Sequence, residues 1–195
     1  MEIGDTFYST DRREWRDWLS ANFRSAEEIW FVFPTKDSGE ESMLYNDAVE
    51  EALCFGWIDS ISKTLDEKHQ ARRFTPRKKG SPYSRLNIER LIWLDSEGMI
   101  HPDVRSTVED LITGKFVFPK DIISAIRKNR TAWANYQNFT EPYKRVRIAY
   151  IDAARDRPEE FEKRLNNFIG MTERNRIIPG YGGTEKYYKD NVPDH

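Results

Sequence analysis

The chain has 195 residues, of which 38% are hydrophobic, 33% charged and 13% aromatic, a composition typical of a folded globular protein with a well solvated surface. Its formal net charge of -2 argues against a general nucleic-acid binder, because phosphate backbones select basic surfaces. The longest apolar run, residues 29–34, is too short for a bilayer, and the acidic N-terminus and lone Cys54 predict a cytoplasmic protein without membrane insertion or an internal disulfide.

The first predicted element is an amphipathic helix over residues 11–22. Asp11 followed by Glu14 resembles a capping box, in which two side chains satisfy backbone N–H groups at the helix start. The apolar side chains that follow lie at helical spacing and define one face, formed by Trp15, Trp18 and Leu19. We expect this face to pack on a sheet.

A central strand and a second helix come next. Residues 29–35 are apolar on both faces of a strand, which indicates a strand covered on both sides. Ser42 is expected to cap a helix over residues 44–55, and Gly56 is expected to end it. One face of this helix is apolar, and the opposite face carries three acids: Asp47, Glu50 and Glu51.

Two alternating segments around a charged turn predict a β-hairpin. Its strands cover residues 57–65 and 69–75, and residues 66–68 form the turn. Pro76 cannot donate a hydrogen bond to a neighbouring strand, so the second strand should end there. The predicted core takes apolar side chains from these elements and from the helix that follows: Trp15, Trp18, Leu19, Trp30, Val32, Ala48, Ala52, Trp57 and Leu91.

The rest of the chain predicts helices. Apolar periodicity and capping residues favour helices at about 84–97, 103–113, 119–128, 131–138, 141–156 and 158–169. Gly170 is expected to end the last of them. Residues 116–118 form either a short strand or a hydrophobic connector.

The predicted fold class is therefore α+β: a small, mostly antiparallel sheet with flanking helices, followed by an all-helical C-terminal subdomain. The predicted domains are an α+β N-terminal domain at residues 1–115 and a helical C-terminal subdomain at 116–170. Residues 171–195 carry no periodicity, which predicts an irregular tail.

The strongest local charge asymmetry lies between residues 72 and 90. Seven cations and one acid, Glu89, give this segment a charge of +6, the cations being Arg72, Arg73, Arg77, Lys78, Lys79, Arg85 and Arg90. Its middle leaves a strand and enters a helix, where free backbone N–H groups and the helix dipole favour an anion. The alternative is a solvated loop that pairs with Asp47, Glu50, Glu51 or Asp59.

Asp59 is a second candidate, because it lies among apolar residues where an isolated carboxylate is costly. It is either a pocket acid that faces Arg77 or Ser84, or a structural residue that forms an ion pair or caps a turn. The candidate ligand-binding residues are the polar and charged side chains of this strand, turn and helix start: Asp59, Arg73, Arg77, Ser81, Tyr83, Ser84 and Asn87.

The sequence offers no catalytic constellation. Cys54 has no histidine at a characteristic spacing, and its position beside Phe55 is typical of a small core residue. No pair of His or Cys residues has the spacing of metal ligands, so we expect neither a metal nor a cofactor. The basic run 144–147 and the later cations are interspersed with acids, which favours an exposed helix surface.

Several motifs, in order along the chain, resemble the YdeI/OmpD-associated family. The resemblance covers about residues 6–170 and depends on these segments: Glu14-Trp15-Arg16-Asp17-Trp18-Leu19, Ile29-Trp30, the helix at 45–53, Gly56-Trp57-Ile58-Asp59, Arg73-Phe74-Thr75-Pro76-Arg77, Ser81-Pro82-Tyr83-Ser84, Asn87 and Glu97-Gly98-Met99. Such proteins are described as bacteriocin-protection or outer-membrane-porin-associated, and the resemblance carries over no cofactor and no catalytic residue. Ser60, Tyr83 and the segment 155–165 depart from the family pattern.

These observations leave three functions open. The first, which we favour, is a non-enzymatic protein that binds a small anionic ligand or a protein partner and is linked by the resemblance to bacteriocin protection or envelope stress. The second is an enzyme acting on a small anionic metabolite, with Asp59 as general acid or base and Arg77 as clamp. The third is nucleic-acid binding through residues 72–90, which the acidic net charge disfavours.

Overall fold

The structure, a computed structural model, describes residues 2–179 and 185–188. The chain forms two compact units: a sheet unit of the residues up to 82 together with 94–109, and a helical unit of residues 83–93 and those from 110 onward. These units are groups of residues that pack together, whereas the predicted domains are segments expected to fold alone. The predicted domain boundaries near residues 115 and 170 therefore stay a prediction. Within the described residues, no helix has the length and apolar character needed to cross a membrane.

The sheet unit is built on a mixed sheet. Its described strands are β1 (Thr6–Phe7), β2 (Ile29–Pro34), β3 (Trp57–Thr64) and β4 (His69–Pro76). Their spatial order is β1-β2-β4-β3, with β1 parallel to β2 and the other two pairings antiparallel. The predicted small, mostly antiparallel sheet and its hairpin are confirmed. The strand β1 was not predicted, because two residues are too few to show alternation.

Two helices of this unit, α1 (Arg12–Asn22) and α2 (Tyr45–Cys54), flank the sheet as predicted. Trp15 of α1 lies edge-on to Phe31 and Phe74 of the sheet, with ring centroids 5.1 and 5.5 Å apart. The Trp15 indole N–H donates to the carbonyl oxygen of Ala48 on α2 at 3.0 Å. A single indole therefore joins both helices to the sheet.

The start of α1 differs in part from the predicted capping box. Asp11 is the cap as expected, because its Oδ1 accepts a hydrogen bond from the Arg13 N–H at 2.8 Å. Glu14 does not return a bond to Asp11; it accepts one from the Ser9 hydroxyl at 2.6 Å. Ser9 also accepts from the Asp11 N–H at 2.9 Å, so the serine before the helix performs the role that the sequence assigned to Glu14.

The start of α2 differs from the prediction, whereas its end agrees with it. The predicted cap Ser42 is wrong: Leu44 occupies the cap position without a side-chain hydrogen bond, and the Ser42 hydroxyl donates to the Met43 carbonyl oxygen at 3.0 Å. Gly56 follows the helix with φ of +71°, a left-handed conformation that glycine adopts without steric cost. The predicted end of the helix is therefore confirmed.

The acidic face of α2 is buried against arginines of α1. Arg12 lies 3.1 Å from Asp47, 2.9 Å from Glu50 and 2.5 Å from Glu51, and Arg16 lies 2.7 Å from Glu51. The predicted alternative, in which the basic segment at 72–90 pairs with one of four acids, holds for Asp59, which lies 3.5 Å from Arg72, whereas Arg12 and Arg16 of α1 are partners of Asp47, Glu50 and Glu51. Burial of Glu50 and Glu51 is tolerated because both carboxylates face guanidinium groups.

The tip of the hairpin carries a histidine between two carboxylates. The Nδ1 atom of His69 lies 2.8 Å from Asp66 Oδ1, and its Nε2 lies 3.2 Å from Glu40. The hydrogen bond with Asp66, followed by that with Glu40, raises the pKa of His69 above its ordinary value. The protonated imidazole is therefore favoured in the folded chain, because both ring nitrogens can then donate.

We expect this contact to make stability depend on pH. Because the folded-state pKa of His69 is raised, the stabilisation is fully present below the unfolded pKa of about 6.5 and is lost as pH rises through the folded pKa. An NMR titration of the His69 ring should place its midpoint above that of an unfolded peptide. In Asp66→Asn the midpoint should move back down; a wild-type midpoint at or below 6.5 contradicts the prediction.

The remaining helices are α3 (Arg85–Ser96), α4 (Pro102–Thr113), α5 (Lys120–Lys128), α6 (Arg130–Gln137), α7 (Glu141–Asp152) and α8 (Pro158–Glu173). The predicted all-helical C-terminal region is confirmed. Residues 116–118 form a connector without regular structure. Gly170 does not end α8, which continues to Glu173 and is followed by Asn175 at φ of +52°, an asparagine in the left-handed region that often terminates helices.

The helical unit has its own apolar core. Its buried residues are Ile122, Ile126, Ala132, Tyr136, Tyr143, Val146, Ile148, Ile151, Phe168 and Tyr187. Tyr187 belongs to a short 3₁₀ turn at Glu185–Tyr188 within the predicted irregular tail, and its ring lies 5.8 Å from that of Trp93. Of that predicted tail, residues 171–173 belong to α8, and residues 180–184 and 189–195 lie outside the described residues.

The predicted core is confirmed for all but one of its members. Trp15, Leu19, Trp30, Val32, Ala48, Ala52, Trp57 and Leu91 are buried. Trp18 is only half-buried; it stacks on Trp15 with ring centroids 5.4 Å apart and meets Trp57 edge-on at 5.8 Å. Trp18 therefore lies at the margin of the aromatic cluster.

Candidate functional site

Asp59, the predicted pocket acid, is held by two residues of its own unit. The Tyr45 hydroxyl donates to Asp59 Oδ2 at 2.5 Å, and the Arg72 guanidinium lies 3.5 Å from the same oxygen. Arg72 also covers the Tyr45 ring at 5.0 Å. This arrangement is the structural ion pair that the sequence left open as the second reading of Asp59.

The other predicted residues of the sheet unit also make internal contacts. Arg73 Nε donates to Glu28 Oε2 at 2.6 Å, and this hydrogen bond is the main cause of a lowered pKa for Glu28. Arg77 donates to the carbonyl oxygens of Ser81 and Pro82, at 3.2 and 2.9 Å. The structure thus brings Arg77 and Ser81 together within one turn.

The remaining predicted residues, Tyr83, Ser84 and Asn87, belong to the helical unit. The Ser84 hydroxyl accepts a hydrogen bond from the Asn87 N–H at 3.2 Å, which caps the start of α3. The Asn87 side-chain oxygen accepts from Arg90 at 2.6 Å. Whether the seven predicted residues bind a ligand stays a prediction, but Ser84 also belongs to a cleft that the sequence did not predict.

This cleft lies in the helical unit and has a volume of about 640 Å³, within the range of small-molecule sites. Its walls are α7, α8, the first turn of α3 and residues 178–179. Its charged lining residues are four cations and one acid, which sum to +3: Arg85, Arg147, Lys163, Arg164 and Glu160.

Two of these cations are neutralised by carboxylates. Arg164 Nε donates to Glu160 at 2.7 Å, and this bond is the main cause of a lowered pKa for Glu160. Arg85 Nε donates at 2.7 Å to Glu89, which also accepts from Arg145 at 2.7 Å. Desolvation lowers the pKa of Arg85, so Arg85 depends on this shared acid.

Arg147 differs from those two arginines. Its Nη2 donates to the Ile178 carbonyl oxygen at 2.6 Å, and its guanidinium lies 5.5 Å from the centre of the Tyr143 ring. Its Nε is buried and has no hydrogen-bond acceptor among the described residues. No acid in that part of the chain forms an ion pair with it, so a half-buried guanidinium beside this cleft lacks a counter-charge.

The sequence reading of residues 144–147 as an exposed surface is wrong. Lys144 is buried, with its ammonium 2.7 Å from Glu141, and Arg145 and Arg147 are half-buried. A signal was present: Arg147 lies four residues after Tyr143 and four before Ile151, so a cation interrupts an apolar helical stripe. A cation in that position needs either a partner or a ligand.

Cys54, which the sequence considered as a nucleophile, is a buried residue of the sheet unit. Burial raises the pKa of the Cys54 thiol to about 12, which leaves almost no thiolate at neutral pH. Among residues 2–179 and 185–188, no group of three or more His, Cys, Asp or Glu side chains is placed to hold a metal ion.

Comparisons with known proteins support the predicted family, but over residues outside the motifs that suggested it. Residues 115–175 match the family model "Bacteriocin-protection, YdeI or OmpD-Associated", and residues 7–107 match "Domain of unknown function (DUF8412)". A search of curated proteins found no match, and neither did a search of solved structures. The chain therefore belongs to the DUF8412 family, whose model covers just over half of it, and residues 115–175 carry a match to the YdeI/OmpD-associated, bacteriocin-protection family.

Proposed function

We propose that this chain is a binding protein, without an enzymatic role, whose helical-unit cleft takes a small anionic ligand at Arg147. The observation that carries the proposal is the missing counter-charge of Arg147: its Nε has no acceptor among the described residues, and no acid there pairs with it. An anion beside the Arg147 guanidinium supplies the counter-charge.

The rest of the cleft supports the same assignment. Its charged lining residues are mainly cationic, so the local field attracts anions although the whole chain is acidic. Lys163 lies exposed among the lining residues, where a flexible ammonium adds charge without fixed geometry. Ser84 is among the residues predicted from sequence to bind a ligand, and its position in the cleft lining keeps it in the proposed site.

The family description connects the proposed anion binding with a biological role. Its printed name is "Bacteriocin-protection, YdeI or OmpD-Associated". We propose that ligand capture in the helical unit, which contains the matched residues 115–175, is the molecular activity behind that role in this chain. A protein partner would then respond to the ligand-bound form.

The test is a comparison of Arg147→Gln with wild type. The variants are screened by thermal shift against phosphate, sulfate and short carboxylates, and hits are measured by calorimetry. Loss of a charge-assisted hydrogen bond should weaken anion binding by about 2 kcal/mol, or thirtyfold. Arg147→Lys, which keeps the charge, should bind with intermediate affinity.

A matched control separates a local effect from loss of positive charge. Lys128→Gln removes an exposed cation of α5 outside the cleft and should bind anions as wild type does. Arg147 has no acidic partner among the described residues but donates to the Ile178 carbonyl oxygen, so Arg147→Gln should lower the ligand-free melting temperature only by the loss of that one hydrogen bond. If no anion binds wild type, or if Arg147→Gln binds as tightly as wild type, the proposed function is wrong.

A further inference from the structure

The cleft around Arg147 is lined largely by hydrocarbon. Of its sixteen lining residues, eight have aliphatic or phenyl side chains, among them Val146, Ile151, Phe168, Ile178 and Pro179. An inorganic anion makes no use of these surfaces, and water gains little there because it needs several polar partners. A ligand with an apolar portion would release such water and gain the free energy of burial.

The volume of the cleft also favours a ligand with an apolar portion. A volume of about 640 Å³ lies in the middle of the range found for sites that bury organic molecules. A lone phosphate or carboxylate group would occupy only a small part of it. The unfilled remainder would be next to apolar walls, so the charged group accounts for only one end of the ligand.

The cationic and apolar parts of the cleft are held in contact by two hydrogen bonds. Arg147 donates to the Ile178 carbonyl oxygen at 2.6 Å, and the Ile178 N–H donates to the Tyr143 hydroxyl at 2.9 Å. Both bonds use the backbone of Ile178, so its side chain remains available as an apolar wall. An anionic group bound at Arg147 therefore has a hydrocarbon surface beside it.

We infer, on the basis of the proposed function, that the ligand is an amphipathic anion. Its carboxylate or phosphate head is held by Arg147, and its apolar body lies along the hydrocarbon wall that includes Ile178. The head supplies the counter-charge that Arg147 lacks, and the body supplies most of the buried area. Neither part alone matches the whole cleft.

A homologous series of carboxylates tests this inference. Acetate, butyrate, hexanoate and octanoate are titrated into the full chain by calorimetry, and 1-hexanol serves as the uncharged control. Each fully buried methylene should tighten the dissociation constant about fourfold, until the cleft is filled. Hexyl phosphate, compared with hexanoate, decides between the two kinds of head group.

Two variants assign the two parts of the ligand separately. Arg147→Gln should weaken all four carboxylates by a similar factor and, because Ile178 keeps its hydrogen bond to Tyr143, should retain most of the gain per methylene. Ile178→Ala keeps both backbone hydrogen bonds and shortens only the wall, so it should reduce the gain per methylene while leaving acetate binding close to wild type. Circular dichroism confirms that each variant is folded.

The outcomes separate this inference from the proposed function. If affinity does not rise with chain length but still depends on Arg147, the amphipathic ligand is wrong and the anion site stands. If 1-hexanol binds as tightly as hexanoate, the cleft is merely apolar and both proposals are wrong. If neither phosphate nor any carboxylate or alkyl phosphate binds, both proposals are likewise overturned.

Discussion

Replacing Trp15 by alanine is expected to lower the free energy of unfolding by about 4 kcal/mol. The indole is fully buried and lies edge-on to Phe31 and Phe74. The substitution removes these contacts, leaves a cavity between helix and sheet, and deprives the Ala48 carbonyl oxygen of its donor. Urea denaturation followed by circular dichroism measures the loss.

Two further variants test how much of this loss of stability comes from the hydrogen bond and how much depends on burial. Trp15→Phe keeps an aromatic ring but loses the hydrogen bond to Ala48, so it should cost clearly less than Trp15→Ala. Trp18→Ala should also cost less, because Trp18 is only half-buried at the edge of the same cluster. A loss for Trp15→Ala below about 1.5 kcal/mol, or equal losses for both alanine variants, contradicts the described packing.

Replacing Glu51 by alanine is expected to cost about 3 kcal/mol. Its carboxylate is 1% exposed and accepts hydrogen bonds from Arg12 at 2.5 Å and Arg16 at 2.7 Å. The substitution removes the carboxylate partner of Arg16 and leaves Arg12 with Asp47 and Glu50 alone, at the contact between α1 and α2. Because both arginines retain some access to water, we place the cost at the lower end of the range for buried pairs.

Chemical denaturation of Glu51→Ala, Glu51→Gln and Glu27→Gln tests this network. Glu51→Gln keeps the shape of the side chain and removes its charge, so it isolates the electrostatic part of the loss. Glu27 is exposed, and its replacement should change stability by less than about 0.5 kcal/mol. If Glu51→Ala changes the free energy of unfolding as little as Glu27→Gln does, the ion network does not stabilise the fold.

Much of the fold was predictable because its signals are local. The hairpin at 57–76 shows alternation around a charged turn, and the end of α2 is marked by a glycine that adopts positive φ. Errors occur where a partner comes from outside the window: Ser9 supplies a bond assigned to Glu14, and β1 exists only through its pairing with β2.

The candidate cleft shows the same limit. Ser84 was predicted as a ligand-binding residue from the helix start that it caps, but Arg147 was read as part of an exposed surface. The cleft needs α7, α8, the first turn of α3 and residues 178–179 as neighbours. The sequence around Arg147 shows a cation within an apolar helical stripe. It cannot show that no acid of the described residues lies near this cation in the folded chain.

The order of residues was enough to predict most of the secondary structure, the α+β class and a family resemblance, because periodicity, capping and ordered motifs each depend on neighbours along the chain. Folding decided which charges meet. Arg12 and Arg16 neutralise Glu51, Arg72 neutralises Asp59, and Arg147 is placed beside Ile178 without an acid. Coulomb and hydrogen-bond energies depend on distance in space, and residues dozens of positions apart acquire that distance only when their elements pack.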